Sequence, residues 1–358
     1  MKSWLAGAVG AYLLGCATAL AQSPDAPAIT KRLDKIAKSY TEEQFMGSVL
    51  VVEGDSTLLD NGYGMADLKR KIPDSPGAQF RLGSLTKQFT ATLILLLQQE
   101  GKLQIADPVS KYLPDAPQSW EKITLANLLG HTSGIPNFTS DAAFRTWSLS
   151  PHSHEEEIAF FRNKPLEFKP GSRFEYSNSN YEVLGAVIEK VSGRDYGDLL
   201  RERIFEPLEM KSSGLDADGL ILPRRAQGYR YIKDWGLVPA ESQSMTIPWA
   251  AGSIYSTTGD LSRWEHGLFG GKILNDSSLQ AMTTAGKGNY GLGVEVAQMH
   301  RVKVVSHNGG IAGFNTYLCY VPERQITVVV LSNVNGTAPD TMGPELLNAV
   351  LATQSPLP

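Results

Sequence analysis

Patterns typical of β-strands lie at both ends of this 358-residue chain, and the stretch between them reads as helices and loops. Near the N-terminus, residues 45–53 and 57–65 flank Gly54-Asp55-Ser56, which predicts a hairpin. Four further strands are predicted near the C-terminus, at 290–296, 302–306, 313–320 and 325–331. Because an isolated hairpin is marginally stable in water, we expect both ends of the chain to meet in one antiparallel sheet.

Helical periodicity flanks these strands and fills the middle of the chain. Apolar residues at helical spacing predict an amphipathic helix over 27–40, and a closing helix is predicted over 344–352. Between roughly 105 and 240, helices such as 181–191 and 196–205 alternate with loops.

A chain of this length exceeds the usual size of a single hydrophobic core. The predicted fold class is therefore α+β, an antiparallel sheet flanked by helices with an inserted mainly helical domain. The sheet domain is assigned to 22–104 plus 241–358, and the helical insert to 105–240.

The first 21 residues are typical of an export signal. Lys2 precedes an apolar stretch that ends in Ala19-Leu20-Ala21, a small-x-small cleavage pattern. A second processing route stays open, because Leu13-Leu14-Gly15-Cys16 resembles a bacterial lipobox in which Cys16 would carry lipid. We expect export to the bacterial periplasm or the medium, with a membrane contact only if Cys16 is lipidated.

Composition narrows the class of partner. With 42% hydrophobic and 20% charged residues, the chain is typical of a globular protein, and its net charge of −4 provides no basic field for nucleic acid. Removal of the signal would leave Cys319 as the single thiol. It lies in an alternating run, so we interpret it as a packing residue of a strand.

Ser84-Leu85-Thr86-Lys87 opens an apolar helical segment that must be largely buried. Positions three apart share a helix face, so the Lys87 amine can reach the Ser84 hydroxyl. Desolvation at the edge of such a helix disfavours the charged amine and suits it to accept a proton. Alone, the same pattern also fits an ordinary helix cap followed by a solvated lysine.

The run from Lys169 to Tyr181 sets a Pro-Gly turn and then Tyr176-Ser177-Asn178 before a helix. A phenol near an ammonium is biased toward phenolate, so Tyr176 could exchange the serine proton with Lys87. Asn178 could donate hydrogen bonds to a substrate and to Lys87. The alternatives are a loop aromatic that packs on the core and an asparagine that caps the helix.

A third motif, His307-Asn308-Gly309-Gly310, follows one predicted strand and leads to another. A protonated His307 would raise the positive potential of a cleft, and Gly309 and Gly310 would let the backbone approach a ligand closely. A simple turn explains the glycine pair equally well.

Taken together in this order, the three motifs resemble those of the serine β-lactamase and penicillin-binding-protein-like family. The resemblance extends over about residues 27–350, and it is to the branch that includes class C β-lactamases, D-alanyl-D-alanine carboxypeptidases, D-aminopeptidases and family VIII esterases. It implies an acyl-enzyme on Ser84, with Lys87 and Tyr176 exchanging the proton and Asn178 orienting the substrate. The N–H groups of Ser84 and Gly310 would form the oxyanion hole.

Two residues depart from the strictest pattern of the resembled family. His307 stands where β-lactamases usually carry a lysine, and Asn308 replaces the threonine or serine whose hydroxyl helps to bind a substrate carboxylate. His307, Asn308, Gly309 and Gly310 remain the expected substrate-binding segment. The resemblance implies no metal and no cofactor.

Three functional hypotheses remain open. The first is an exported serine hydrolase that acts on D-configured peptides or amides, in the manner of a D-amino-acid peptidase or DD-carboxypeptidase. The second is a carboxylesterase or weak β-lactamase on the same site. The third is a non-catalytic module that binds peptidoglycan fragments. The expected partner is a small-molecule or peptide substrate, with peptidoglycan-derived molecules among the candidates, and not a nucleic acid.

Overall fold

The computed structural model describes residues 26–42 and 45–353. The predicted signal segment 1–21, with Cys16, and residues 22–25 lie outside the described residues. No helix within the described ranges combines the length and the apolar character needed to cross a bilayer.

The chain order of the secondary structure is as follows. The strands are β1 (Gly47–Glu53), β2 (Ser56–Tyr63), β3 (Met65–Asp67), β4 (Ile72–Pro73), β5 (Phe80–Arg81), β6 (Gly214–Leu215), β7 (Tyr229–Ile232), β8 (Gly236–Pro239), β9 (Ile254–Ser256), β10 (Glu295–Met299), β11 (Val302–Ile311), β12 (Phe314–Val321), β13 (Ile326–Ser332) and β14 (Val334–Asn335). The helices are α1 (Ala26–Thr41), α2 (Thr86–Gln99), α3 (Leu125–Leu129), α4 (Phe144–Trp147), α5 (His154–Arg162), α6 (Ser179–Ser192), α7 (Tyr196–Leu200), α8 (Trp249–Gly252), α9 (Thr258–Phe269), α10 (Asp276–Met282) and α11 (Ala338–Leu351).

A six-stranded sheet joins the two ends of the chain, in the order β10-β11-β12-β13-β1-β2. Its neighbours are antiparallel, and the strand β1 from the N-terminal hairpin pairs with β13 from the C-terminal meander, Gly47 opposite Ser332. The predicted fold class, an antiparallel sheet flanked by helices, is confirmed. The division into two domains stays a prediction.

The pleat of the sheet sends alternate side chains to two hydrophobic cores. Val49 and Val51 of β1 face one core, which α1 and α11 cover, while Leu50 and Val52 face the other. Both faces are thus buried, which is why β1 and β13 each contain four consecutive apolar residues, 49–52 and 328–331. Cys319 of β12 lies fully buried on the first face, as interpreted from its alternating run.

Three predicted boundaries differ from the structure. The strand expected from Tyr290 begins only at Glu295, because Gly288, Asn289 and Gly293 take left-handed backbone conformations that interrupt an extended chain. The closing helix begins at Ala338 and not at residue 344, since Pro339 occupies the first-turn position at which proline is favoured.

The third difference concerns the glycine motif. His307, Asn308, Gly309 and Gly310 do not form a turn after a strand but lie within β11 itself. They pair with 315–318 of β12, and this pairing outweighs the weak strand preference of glycine. The motif therefore sits on a rigid strand that runs beside the turn containing Ser84.

Candidate active site

Ser84 lies in a short 3-10 turn, Gly83–Leu85, that leads directly into α2. Every residue of α2 from Thr86 to Leu97 is buried, so the apolar sequence fixes this helix inside the molecule. Gly83 adopts φ +56°, and a Cβ there would meet the Gly310 nitrogen at 2.9 Å. A glycine is therefore required for the serine turn to pack against β11.

Lys87 is fully buried one turn after Ser84. Its Nζ lies 3.0 Å from Ser84 Oγ, 2.8 Å from Asn178 Oδ1 and 2.9 Å from the Ala251 carbonyl oxygen. Burial lowers the pKa of the amine to about 7, although the nearby Glu182 carboxyl opposes the shift. The structure thus brings the predicted hydroxyl and amine into contact, with the amine poised to gain or lose a proton near neutral pH.

Tyr176 joins Ser84 from the other side. The phenol donates a 2.8 Å hydrogen bond to Ser84 Oγ, while Lys87 Nζ lies over the face of the ring, 4.9 Å from its centroid. Burial raises the pKa of the phenol above its ordinary value. The expected bias toward phenolate is therefore wrong for the free site, because burial is the largest influence on the pKa of this phenol, and Tyr176 is a neutral donor.

Asn178 is in the site with a different arrangement of hydrogen bonds from the one expected. Its Oδ1 accepts from Lys87, and its Nδ2 lies 3.3 Å from Asn137 Oδ1 and 3.2 Å from Thr139 Oγ1. The amide therefore accepts from the lysine instead of donating to it. Asn137 and Thr139, which the sequence did not single out, hold the amide in this orientation.

His307 is buried and neutral, so the expected positive potential is not provided by its ring. Its Nδ1 lies 2.5 Å from the Asn308 carbonyl oxygen, which can only accept, so Nδ1 carries the proton and Nε2 accepts a 2.8 Å hydrogen bond from Tyr290. Burial, together with the Lys87 charge, lowers the pKa of His307 to about 3.

The remaining motif residues divide between packing and the cavity. A Cβ on Gly309 would lie 2.0 Å from the Leu82 carbonyl oxygen, so Gly309 allows β11 to approach the serine turn. Gly310 lines the cavity together with Ser84. Asn308 is exposed and its side chain interacts with Asp340, which places it outside the cavity wall.

The cavity beside Ser84 has a volume of about 210 Å³. Apolar groups and uncharged polar groups both contribute to its wall. Besides Ser84 and Asn178, the larger side chains that line it are Phe138, Phe144, Ile247, Ile311, Thr139 and Gln243. No charged side chain of the described residues lines it. Nor do the described residues contain a group of three or more His, Cys, Asp or Glu side chains that could hold a metal ion.

Aromatic rings behind the site position Tyr176. The buried His131 ring lies 4.2 Å from the Tyr176 ring and 4.8 Å from that of Tyr290, and its Nδ1 accepts from the Ser177 N–H at 3.2 Å. His131 has φ +53° within a His-Thr-Ser-Gly turn. The His-Thr-Ser-Gly tetrapeptide is a sequence signal that could have indicated the role of His131. Tyr290 has no such signal, because the sequence pattern predicts it as part of a strand.

The site combines a serine at the start of a buried helix with a lysine amine and a phenol that both contact the serine oxygen. A strand that contains two glycines runs beside it. This combination defines the class of serine hydrolases that work through an acyl-enzyme. The chain belongs to the Beta-lactamase family, whose family model matches residues 34–352. The family resemblance expected from the three motifs is thus confirmed, as is the assignment to serine hydrolases.

Individual relatives agree with this assignment. The chain is 32% identical over 308 residues to the putative penicillin-binding protein PbpX of Bacillus subtilis. The matched region covers 86% of this chain and 75% of that protein. The octameric penicillin-binding protein homologue from Pyrococcus abyssi matches with a TM-score of 0.80 at 30% identity, covering 91% of this chain and 78% of that one. The D-amino acid amidase from Ochrobactrum anthropi SV3, complexed with D-phenylalanine, matches with a TM-score of 0.82 at 25% identity, covering 91% and 100%.

Proposed function

We propose that the protein hydrolyses uncharged amides or peptides next to a D-configured residue, through an acyl-enzyme on Ser84. The observation that carries the chemistry is the contact of the Ser84 hydroxyl with both Lys87 Nζ, at 3.0 Å, and the Tyr176 phenol, at 2.8 Å. We further propose that the chain acts after export, on the strength of the signal-like segment 1–21.

Acylation follows from the charge states of these groups. Neutral Lys87 takes the proton of Ser84 as the serine oxygen attacks the carbonyl carbon. The N–H groups of Ser84 and Gly310 stabilise the oxyanion, an effect worth typically about 10²–10³ in rate per donor. The proton then passes from Lys87, by way of the Tyr176 phenol, to the leaving nitrogen, so the C–N bond breaks and an amine departs.

Deacylation reverses the roles. A water molecule takes the place of the departed amine, and neutral Lys87 accepts one of its protons as the oxygen attacks the ester carbonyl. The C–O bond to Ser84 breaks, and the proton returns to the serine oxygen. The carboxylic acid leaves and the site is restored.

The uncharged cavity supports a substrate without a carboxylate. β-Lactams and C-terminal D-alanyl peptides carry one, and an anion buried without a cation is strongly disfavoured. His307 is neutral and Asn308 interacts with Asp340, so neither motif residue supplies the missing charge. A neutral amide, or an amino-acid amide whose α-amino group (ordinary pKa about 7.7–8.0) is unprotonated, meets no such penalty. The similarity to the D-amino acid amidase supports the same class.

A carboxylesterase is the second candidate, favoured by the same cavity. Neutral esters would enter it as readily as neutral amides, and an alkoxide is a better leaving group than an amide nitrogen. Family VIII esterase activity would then appear as turnover of p-nitrophenyl acetate. In that case the D- and L-enantiomers of an amide substrate would not be hydrolysed at different rates.

The test is a substrate panel on the purified full chain. We expect D-phenylalanine amide to be hydrolysed at least about 10-fold faster than its L-enantiomer, with little turnover of nitrocefin. Ser84→Ala is expected to abolish turnover and fluorophosphonate labelling, whereas Ser172→Ala, at an exposed serine, should change neither. Failure of the wild-type chain to label at all would favour the non-catalytic binding module.

A further inference from the structure

Two buried glutamates have no part in the mechanism above, and the charge of one of them, Glu182, acts on the proposed catalytic lysine. Glu157 on α5 and Glu182 on α6 are both 0% exposed, and their two helices pack against each other. Burying a carboxyl without a partner is unfavourable, so a pair of them beside a reactive amine calls for a function.

Glu182 lies on the same side of α6 as the site. Asn178, whose Oδ1 binds Lys87 Nζ, precedes Glu182 by four residues, so the two occupy one face a turn apart. The intervening Tyr181 has its ring 5.4 Å from Lys87 Nζ. Ala251 connects them further, because its carbonyl accepts from Lys87 and its backbone also interacts with Glu182. Glu182 thus lies close enough to Lys87 for each charge to act on the other.

The protonation state of each of the two carboxyls depends on that of the other. None of their four oxygens forms a well-aligned hydrogen bond, and Glu182 is the side chain that acts most strongly on the Glu157 carboxyl. Two adjacent buried carboxylates cannot both be charged. Burial and the Glu182 carboxyl raise the pKa of Glu157 far above its ordinary value. Burial also raises the pKa of Glu182, but the interaction with Glu157 and the Lys87 charge oppose that rise, so Glu182 is the member of the pair that ionises. Glu157 therefore holds a proton, which it can direct at Glu182.

The other titratable groups around the pair are neutral. His154 Nδ1 lies 3.6 Å from Glu157, but burial lowers the pKa of His154 to about 4. Tyr196, which also interacts with Glu182, has its pKa raised by burial. Among the described residues, Lys87 is therefore the only group facing Glu182 that can balance its charge.

We propose that Glu182 is a positioning residue that sets the charge of the Lys87 amine during acylation, and that protonated Glu157 holds Glu182 in place. When Lys87 takes the Ser84 proton, the ammonium is stabilised by the Glu182 carboxylate. The proton then leaves Lys87 for the leaving group, so the pair of glutamates neither gains nor loses one over the cycle. This inference rests on the proposed function, because it assumes that Lys87 accepts the serine proton.

The experiment measures the second-order rate of fluorophosphonate acylation of Ser84 from pH 5 to 9, on the full chain. The wild-type rate should rise with pH as Lys87 loses its proton. In Glu182→Gln, the anion that favours the ammonium is gone, so this rise should move to lower pH by roughly one unit. The plateau should fall several-fold, because the weaker base accepts the proton less readily.

Glu265→Gln provides a matched control. Glu265 is also a buried carboxyl, and burial raises its pKa to about 8. It lies on α9 beside Cys319 and Tyr320, and neither its pKa nor that of Lys87 is shifted by the other group. We expect its pH profile to match the wild type. Thermal unfolding of each variant separates a change of profile from a loss of folded protein.

Glu157 is tested by two substitutions. Glu157→Gln keeps a donor toward Glu182 and should retain the wild-type profile, whereas Glu157→Leu removes the donor and should shift the profile in the direction of Glu182→Gln. Because both act through one group, the combined Glu157→Leu and Glu182→Gln variant should shift no further than Glu182→Gln alone.

The inference is overturned if folded Glu182→Gln keeps the wild-type profile, or if Glu265→Gln shifts as far. Failure of the proposed function looks different, since the wild-type chain would then show no labelling of Ser84 at any pH.

Discussion

Tyr290 donates a 2.8 Å hydrogen bond to His307 Nε2, and this contact fixes a buried, neutral imidazole beside the candidate nucleophile. With the Nδ1 proton directed at the Asn308 carbonyl, both ring nitrogens are satisfied without a charge. The His307 ring is therefore a fixed, uncharged polar side chain of β11 and not an anion-binding group. The two ends of this contact come from a loop and a strand, so the histidine is oriented by tertiary structure.

Tyr290→Phe should remove that donor and leave Nε2 buried without a partner. We expect a loss of about 1–3 kcal/mol in the free energy of unfolding, the usual penalty for a buried unsatisfied acceptor. Urea unfolding measures it, with Tyr231→Phe as the control because Tyr231 is 50% exposed. Equal losses in both variants would contradict the importance of the contact.

Gly309 and Gly310 should respond differently to alanine. A Cβ at Gly309 would lie 2.0 Å from the Leu82 carbonyl oxygen, whereas one at Gly310 would meet only Asn315 Nδ2, at 3.4 Å. Gly309→Ala must push β11 away from the serine turn, so we expect at least a 10²-fold loss of acylation rate through a displaced oxyanion donor. Gly310→Ala retains the N–H and should stay within a few-fold of wild type. Similar rates for the two variants would refute the argument from packing.

Much of the fold could be predicted because local patterns and the global sheet agree. The alternation in 314–320 and the apolar run of 326–331 predict strands from local sequence alone. Only the pairing of β13 with β1 depends on contact between the two ends of the chain. Tyr290 and the 307–310 segment could not be placed this way. Hydrophobic alternation does not reveal the left-handed residues before Glu295. The place of Gly309 depends on its close approach to Leu82, which is distant in sequence.

The contact of Ser84 with Lys87 was predictable because it needs only helical spacing, and the participation of Tyr176 because three motifs coincide. Charge states were not predictable in the same way. Whether the phenol or the amine is ionised depends on how completely each is buried, and burial of Tyr176 and Lys87 arises from many distant residues. Asn137, Thr139, Glu157 and Glu182 likewise gave no signal, because single polar residues in helices and loops are common.

Asp74, which is not part of the candidate active site, should make the free energy of unfolding depend on pH. Burial raises the pKa of this carboxyl to about 7 from an ordinary 3.8, so the folded state binds more protons between these values than the unfolded state. Its contribution is therefore favourable at low pH and is lost as pH rises toward 7. Asp74→Asn should unfold less readily than wild type at pH 8, by on the order of 2 kcal/mol, with no gain at pH 4. The comparison uses urea unfolding, with exposed Asp55→Asn unchanged; a gain equal at both pH values would exclude titration as its cause.

Gln243→Arg should change which substrates the cavity accepts. Gln243 is part of a wall that has no charged side chain among the described residues. A guanidinium there would pair with a substrate carboxylate, so we expect nitrocefin turnover to rise roughly 10-fold relative to D-phenylalanine amide. Gln243→Met, similar in length and uncharged, should leave the ratio near that of wild type. If both variants raise nitrocefin turnover alike, cavity shape and not charge limits the reaction.

Tyr176→Phe distinguishes the two groups that could deprotonate Ser84. The phenol is neutral in the free site and donates to Ser84 Oγ, while burial lowers the pKa of Lys87 to about 7. If the amine is the base, the variant should lose about 10²–10⁴ in rate, because proton delivery to the leaving group fails, yet its rate should still rise with pH around 7. A phenolate base would instead remove that rise altogether. The measurement is the pH profile of D-phenylalanine amide hydrolysis, with Lys87→Ala expected to eliminate both the rate and its pH dependence.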